Sequence, residues 1–208
     1  MRTYVYVDAF NLYYGALRKT AYKWLDVVDL SRLLLNQRHI VTKVKYFTAR
    51  VSARPHDPDQ PVRQDIYLRA LRTLPEIDIH LGHFLSHSVS MPLAQPAPGG
   101  PMVARVVKTE EKGSDVNLAS HILMDAFADA YDCAVVISND SDLATPIRMV
   151  RDNFGKIVGI LNPQKRPSAV LMGSCDFFKS IREAALQRCQ LPVTLTDEND
   201  VITKPLVW

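Results

Sequence analysis

Cysteine is nearly absent from this chain: Cys133, Cys175 and Cys189 are all there are in 208 residues. Their odd number and the lack of a C-x-x-C pair indicate neither a disulfide framework nor a cysteine zinc site. Such thiols pack as small, inert hydrophobes. Glycine is sparse too, and none of its eight residues falls in G-x-x-x-x-G-K-[ST], G-x-G-x-x-G or G-x-S-x-G. That leaves a glycine-loop nucleotide cradle and a serine nucleophile elbow unsupported. No apolar run approaches the ~18–20 residues that span a bilayer. Met1-Arg2-Thr3-Tyr4 enters a strand at once, with no room for a signal peptide, so a cytoplasmic location without membrane contact is expected. The formal net charge of +3 is too small by itself to argue for a polyanionic partner.

What is present is ordinary globular material, long enough for one α/β core and short for two. The charge is unevenly spread. Nine basic residues lie between Arg32 and Arg72, against the three acids Asp57, Asp59 and Asp65. That excess suits a surface facing phosphates as well as it suits a solvated face.

Strands alternate with helices along the chain. Thr3 to Asp8, His39 to Ala49, Ile77 to Leu85, Met102 to Lys108, the run from Cys133 and Lys156 to Leu161 read as strands. Helical turns are expected over Leu12 to Leu17, Leu30 to Gln37 (capped by Asp29), Val62 to Leu74, Asp115 to Tyr131, Asp142 to Asp152, Ser168 to Met172 and Ser180 to Gln190. The stripe of the Asp115 helix is Val116, Ala119, Ile122, Leu123, Ala126, Phe127 and Ala130. Ser86 to Pro101, rich in proline, reads as an exposed loop within a hairpin. The fold class is α/β, a mostly parallel central sheet with helices on both faces in three layers. Residues 1–190 form the domain, and 191–208 are expected to be a mobile tail.

The chemistry concentrates at strand ends. Val135-Val136-Ile137-Ser138-Asn139-Asp140-Ser141-Asp142 is a buried strand running into a turn with two aspartates. Tyr4-Val5-Tyr6-Val7 leads likewise into Asp8, with Asn11 three residues on. Asp115 opens a helix. Ligands of open α/β sheets sit outside the carboxyl ends of the strands, where these acids can meet. Carboxylates 5 Å apart repel by roughly 3 kcal/mol per pair at an effective dielectric of 20, and a hard divalent cation relieves that repulsion. Each acid alone also has a simpler use as a helix cap. A histidine zinc site at His80, His83 and His87 is disfavoured, because His80 and His83 point to opposite faces of a strand.

Three segments, Tyr6-Val7-Asp8-Ala9-Phe10-Asn11-Leu12, Glu111-Lys112-Gly113-Ser114-Asp115-Val116-Asn117-Leu118 and Val136-Ile137-Ser138-Asn139-Asp140-Ser141-Asp142-Leu143, resemble the NYN domains. These are a branch of the PIN-like metal-dependent ribonucleases, and within it the likeness is to the bacterial LabA-like proteins. The likeness covers about Arg2 to Leu161. It departs from the family where Asn139 and Ala9 replace usual glycines. The resemblance implies a PIN-like fold and Asp8, Asp115, Asp140 and Asp142 as catalytic, Mg2+- or Mn2+-binding residues. It also implies RNA cleavage leaving a 5′-phosphate and a 3′-hydroxyl.

The expected function is therefore a metal-dependent endoribonuclease acting on single-stranded RNA. Asn11, Ser138, Arg50, Arg54 and Arg63 are placed on the substrate, and Tyr13 or Tyr14 is a candidate for base stacking. The rivals are a non-catalytic RNA- or protein-binding module on the same fold and a DNA-directed nuclease. Oligomeric state stays open, a homo-oligomer included.

Overall fold

The computed structural model describes residues 1–55, 57–198 and 200–208. Its centre is a seven-stranded sheet of order β4-β3-β2-β1-β5-β6-β7. The strands are β1 (Arg2–Asp8), β2 (Ile40–Ala49), β3 (Ile77–Pro92), β4 (Val103–Lys112), β5 (Cys133–Ile137), β6 (Ile157–Asn162) and β7 (Phe177–Ser180). All neighbours pair in parallel except β3 and β4. The expected α/β class holds.

Side-chain alternation in the strands builds two cores. Val5 and Val7 of β1, Val44 and Tyr46 of β2, and Val135 and Ile137 of β5 face one side. They pack there against α2 (Val27–Leu34), α3 (Gln60–Arg72) and α7 (Glu183–Arg188). Tyr6, Phe47, Ala134 and Val136 face the other side, against α4 (Ser114–Phe127), α5 (Ala144–Phe154) and α6 (Ala169–Met172). Strands covered on both faces read as continuous apolar runs, which is why Val135-Val136-Ile137 was plain in the sequence. Below the second face, Lys45 is paired with Asp125 at 2.6 Å, and the Tyr6 hydroxyl donates to the same carboxylate at 2.7 Å.

Several expectations need correction. Asp26, not Asp29, caps α2, its carboxylate accepting from the N–H groups of Val28 and Asp29. Helix α4 stops at Phe127, before a left-handed residue, Asp129 (φ 52°). Its buried stripe is Leu118, Ile122 and Ala126, while Val116 and Phe127 face solvent. Ser86 to Pro92, read as loop, continues β3, so the hairpin connection shrinks to 93–102. The strand β7 went unseen in the sequence. Residues 191–208 are not a bare tail: β8 (Thr194–Thr196) and β9 (Val201–Thr203) form a hairpin. Leu191 and Ile202 enter the core, and Trp208 packs on Trp24 and Tyr67.

From β1 the chain moves outward through β2, β3 and β4, then returns to β5 on the other side of β1 and moves outward through β6 and β7. The order therefore reverses between β1 and β5. A switch of this kind opens a crevice at the carboxyl ends of the strands it separates.

Candidate active site

Asp8 closes β1 at that switch point and is 5% exposed. Its two oxygens are held separately. Oδ1 accepts the Asn11 N–H at 2.9 Å, capping α1 (Ala9–Leu12). Oδ2 accepts the Ser138 hydroxyl at 2.8 Å from the end of β5. The Ser138 oxygen in turn accepts the Asp140 N–H at 3.0 Å. Asn11 crosses the switch point by accepting the Asn139 N–H at 3.1 Å. Asn139 ties the turn to the next loop, donating to the Arg166 carbonyl and accepting the Ser168 N–H. Such a network fixes rotamers on both sides of the crevice.

Asp140 caps the 3₁₀ turn Ser141–Leu143 by accepting the Asp142 N–H at 3.0 Å. The capping role weighed for this pair thus falls to Asp140. Asp142 is exposed and does not line the cleft. Asp115, in the first turn of α4, does line it, as does Glu111 from the end of β4. Glu111 had no assigned role from sequence. One of its oxygens accepts both the N–H and the hydroxyl of Ser114. Gly113 bends the chain between them with φ 99°.

The cleft is about 340 Å³ and gathers Asp8, Glu111, Asp115 and Asp140 with Asn11, Gln164 and a single guanidinium, that of Arg54. Burial raises the Asp8 carboxyl to about 6, against the lowering effect of the Asn11 and Ser138 donors. Asp115 and Asp140 push it the same way as burial. Asp115 is raised too, by desolvation first and then by Asp140, Glu111 and Asp142. The acids sense one another across the cleft. Among the described residues, however, no group of three or more His, Cys, Asp or Glu side chains is arranged to hold a metal ion. A closed protein cage is absent there. Magnesium retains several waters and is commonly bound by only one or two carboxylates, and the hard-oxygen donors of this cleft fit that mode.

The basic segment is less free than its count implies. Arg32 is paired with Glu76, Lys45 with Asp125, Arg50 with Asp65, Arg63 with Asp57 and Arg69 with Asp197. Arg50 and Arg63 lie outside the acidic cleft. Arg54 lines it and carries no ion pair among the described residues. His80 stacks on Phe47 and meets His121 beneath the sheet, away from the cleft.

A second cavity, of about 250 Å³, lies behind the first turn of chain after Asp8. Its wall carries the rings of Phe10, Tyr13, Tyr14, Tyr46, Tyr67 and Trp208. Phe10, Tyr14 and Val51 belong to both cavities.

No helix among the described residues is long and apolar enough to cross a membrane. Over its whole length the chain is 30% identical to the 6-hydroxy-3-succinoylpyridine 3-monooxygenase of Pseudomonas putida, covering 75% of that protein. Its fold is similar to the crystal structure of a protein of unknown function from Vibrio parahaemolyticus. The TM-score is 0.56 at 20% identity, over 88% of this chain and 93% of that one. The family model of the NYN domain matches residues 2–182, a span holding the strand order, the switch-point crevice and the acids within it, and the chain belongs to the NYN domain family.

Proposed function

We propose that the chain is a metal-dependent ribonuclease that hydrolyses RNA phosphodiester bonds in the acidic cleft. The observation that carries this reading is Asp8. It is buried at the switch point, raised to about 6, and faces two further carboxylates that oppose its ionisation. Clusters of like-charged, desolvated acids in a cleft mark functional sites. Here the chemistry of the donors calls for Mg2+ or Mn2+, with Asp8 and Asp140 as principal ligands, Asp115 contributing directly or through water, and Asp142, outside the cleft lining, acting through its charge. The bound cation would polarise the phosphate, lower the pKa of an attacking water and steady the leaving oxygen.

The chain's own groups supply the positioning. Ser138 and the Asn11 N–H hold the Asp8 carboxylate in one orientation, and the Asp142 N–H does the same for Asp140. Arg54 offers a charged donor to a phosphate at the cleft wall. Asn11 bridges the two halves of the site, so it keeps Asp8 and Asp140 in register rather than reaching for substrate. Arg50 and Arg63, being paired elsewhere, reach a flanking phosphate only by exchanging their carboxylate partners.

Labelled single-stranded RNA incubated with manganese, and in parallel with EDTA, tests the reading. Cutting in manganese alone is expected, and Asp140→Asn should slow it by a factor on the order of 100 or more. Equal rates for wild type and variant, or cutting in EDTA, would overturn it. A second reading, an oxygenase acting on a hydroxypyridine, is favoured by the full-length likeness to the Pseudomonas putida monooxygenase. Turnover of 6-hydroxy-3-succinoylpyridine with intact RNA would decide for it.

A further inference from the structure

The aromatic cavity behind Phe10 is not used by the cleavage chemistry. Tyr67 and Trp208 meet edge to face at 5.2 Å, and Tyr13 and Tyr14 do so at 5.3 Å. Tyr14 is half exposed and Trp208 partly so, and these two rings keep surface open to a third planar group. At about 250 Å³ the space exceeds the ~150 Å³ cavity that accepts a benzene ring. The cavity is not purely apolar. Lys23, Arg63, Asp57 and Gln60 also line it, two cations against one carboxylate. The Gln60 backbone N–H donates to the Asp57 carbonyl, but its side-chain amide makes no hydrogen bond among the described residues and lines the wall. The acidic cleft next door has the opposite balance, four carboxylates against one guanidinium. Both cavities open on the same short turn of chain and share Phe10 and Tyr14.

We propose that this cavity seats one unstacked nucleobase of the RNA strand whose phosphate lies in the acidic cleft, so that it sets where the strand is held. The inference rests on the ribonuclease reading. A planar, nitrogen-bearing ring matches the aromatic wall, and its polar edge matches Gln60. The phosphate attached to it lies on the far side of Phe10 and Tyr14. The shared chemistry, a heteroaromatic ring linked to a phosphate, also describes a free mononucleotide, and the test separates the two sources.

Binding of labelled hexa-adenylate is measured by anisotropy in calcium, so that binding is read without relying on cleavage. Loss of one base–aromatic stack corresponds to a fall of about 5- to 150-fold in affinity. Trp208→Ala should produce a loss in that range, and Trp208→Phe should recover most of it. Gln60→Trp, at the partly exposed start of α3, should block the cavity with the same effect. Should Trp208→Ala melt early, Gln60→Trp still decides. The salt slope should stay unchanged, because no phosphate contact is removed. In a series of hexa-adenylates each lacking one base, a single position should show the loss. Wild-type affinity in both pocket variants, or a shallower salt slope, would overturn the proposal. So would adenosine monophosphate displacing the strand at equal concentration, since that makes the cavity a free-nucleotide site. RNA left uncut in manganese, with base-dependent binding intact, would fail the ribonuclease reading and leave the pocket standing.

Discussion

At the scale of single residues, Asp8 shows what burial does to an acid that must also carry charge. Its carboxyl is raised from about 3.8 to about 6, so the folded protein keeps a proton there that the unfolded chain has released. A raised carboxyl makes stability fall as pH rises through that window, and the full cost is present above about pH 6. Two units at ~1.36 kcal/mol each give a cost on the order of 3 kcal/mol. In a chelator, wild-type melting temperature should therefore drop between pH 4 and 7, while Asp8→Asn shows a flatter profile and melts higher at pH 7.5. Adding manganese should close the gap for wild type alone. Parallel profiles in the chelator would mean that burial of Asp8 carries no such cost. Asp8, Asp115 and Asp140 were legible in the sequence because each follows a buried strand or opens a helix, and the topology delivers such positions to one crevice. Arg50 and Arg63 were read as free because a charge count sees Asp57 and Asp65 but not that each faces one of them.

Among the elements, the joint between β3 and α4 depends on Gly82. A Cβ there would stand 2.5 Å from the Glu111 carboxylate and 2.6 Å from the Lys112 carbonyl. The first neighbour is the end of a side chain, but the second is backbone and cannot step aside cheaply. Gly82→Ala should cost about 1–3 kcal/mol as overpacking, or roughly 2–4 °C in melting temperature for each kcal/mol in a chain of this size. It should also displace Glu111 from Ser114 and so disturb one wall of the cleft. A thermal melt within 1 °C of wild type would show that β4 can shift freely, taking ~1 °C as well below that range. Glu111 was missed for the same reason that Gly82 was. Its place in the site comes from a hairpin register spanning 30 residues, and no local pattern reports it. The short β7 escaped because Phe177-Phe178-Lys179-Ser180 gains its strand state from pairing with β6. Hairpin β8–β9 escaped because its burial comes from distant partners.

Across the whole molecule, stability is unevenly shared. Beyond Gly82, strand β3 leaves β2 and pairs with β4 alone, from His83 opposite Lys112 to Pro92 opposite Val103. A two-stranded ribbon in water is marginal by itself. Its exposed edge is guarded by charges, among them the linked Lys108, Glu110 and Lys112. Hydrogen exchange should therefore find the ribbon amides opening early, with free energies far below those of β1 and β5, whose amides report global unfolding. Uniform protection across ribbon and sheet would contradict this division. The central position of β1 has a consequence for the newborn chain. Asp8 emerges well before its hydroxyl partner Ser138, which follows 130 residues later. At roughly 5–20 residues per second, many seconds of translation separate the two halves of the cleft. A ribosome-bound fragment lacking β5 therefore holds Asp8 without a site around it, and whatever the cleft does begins only once β5 and the turn after it have been made.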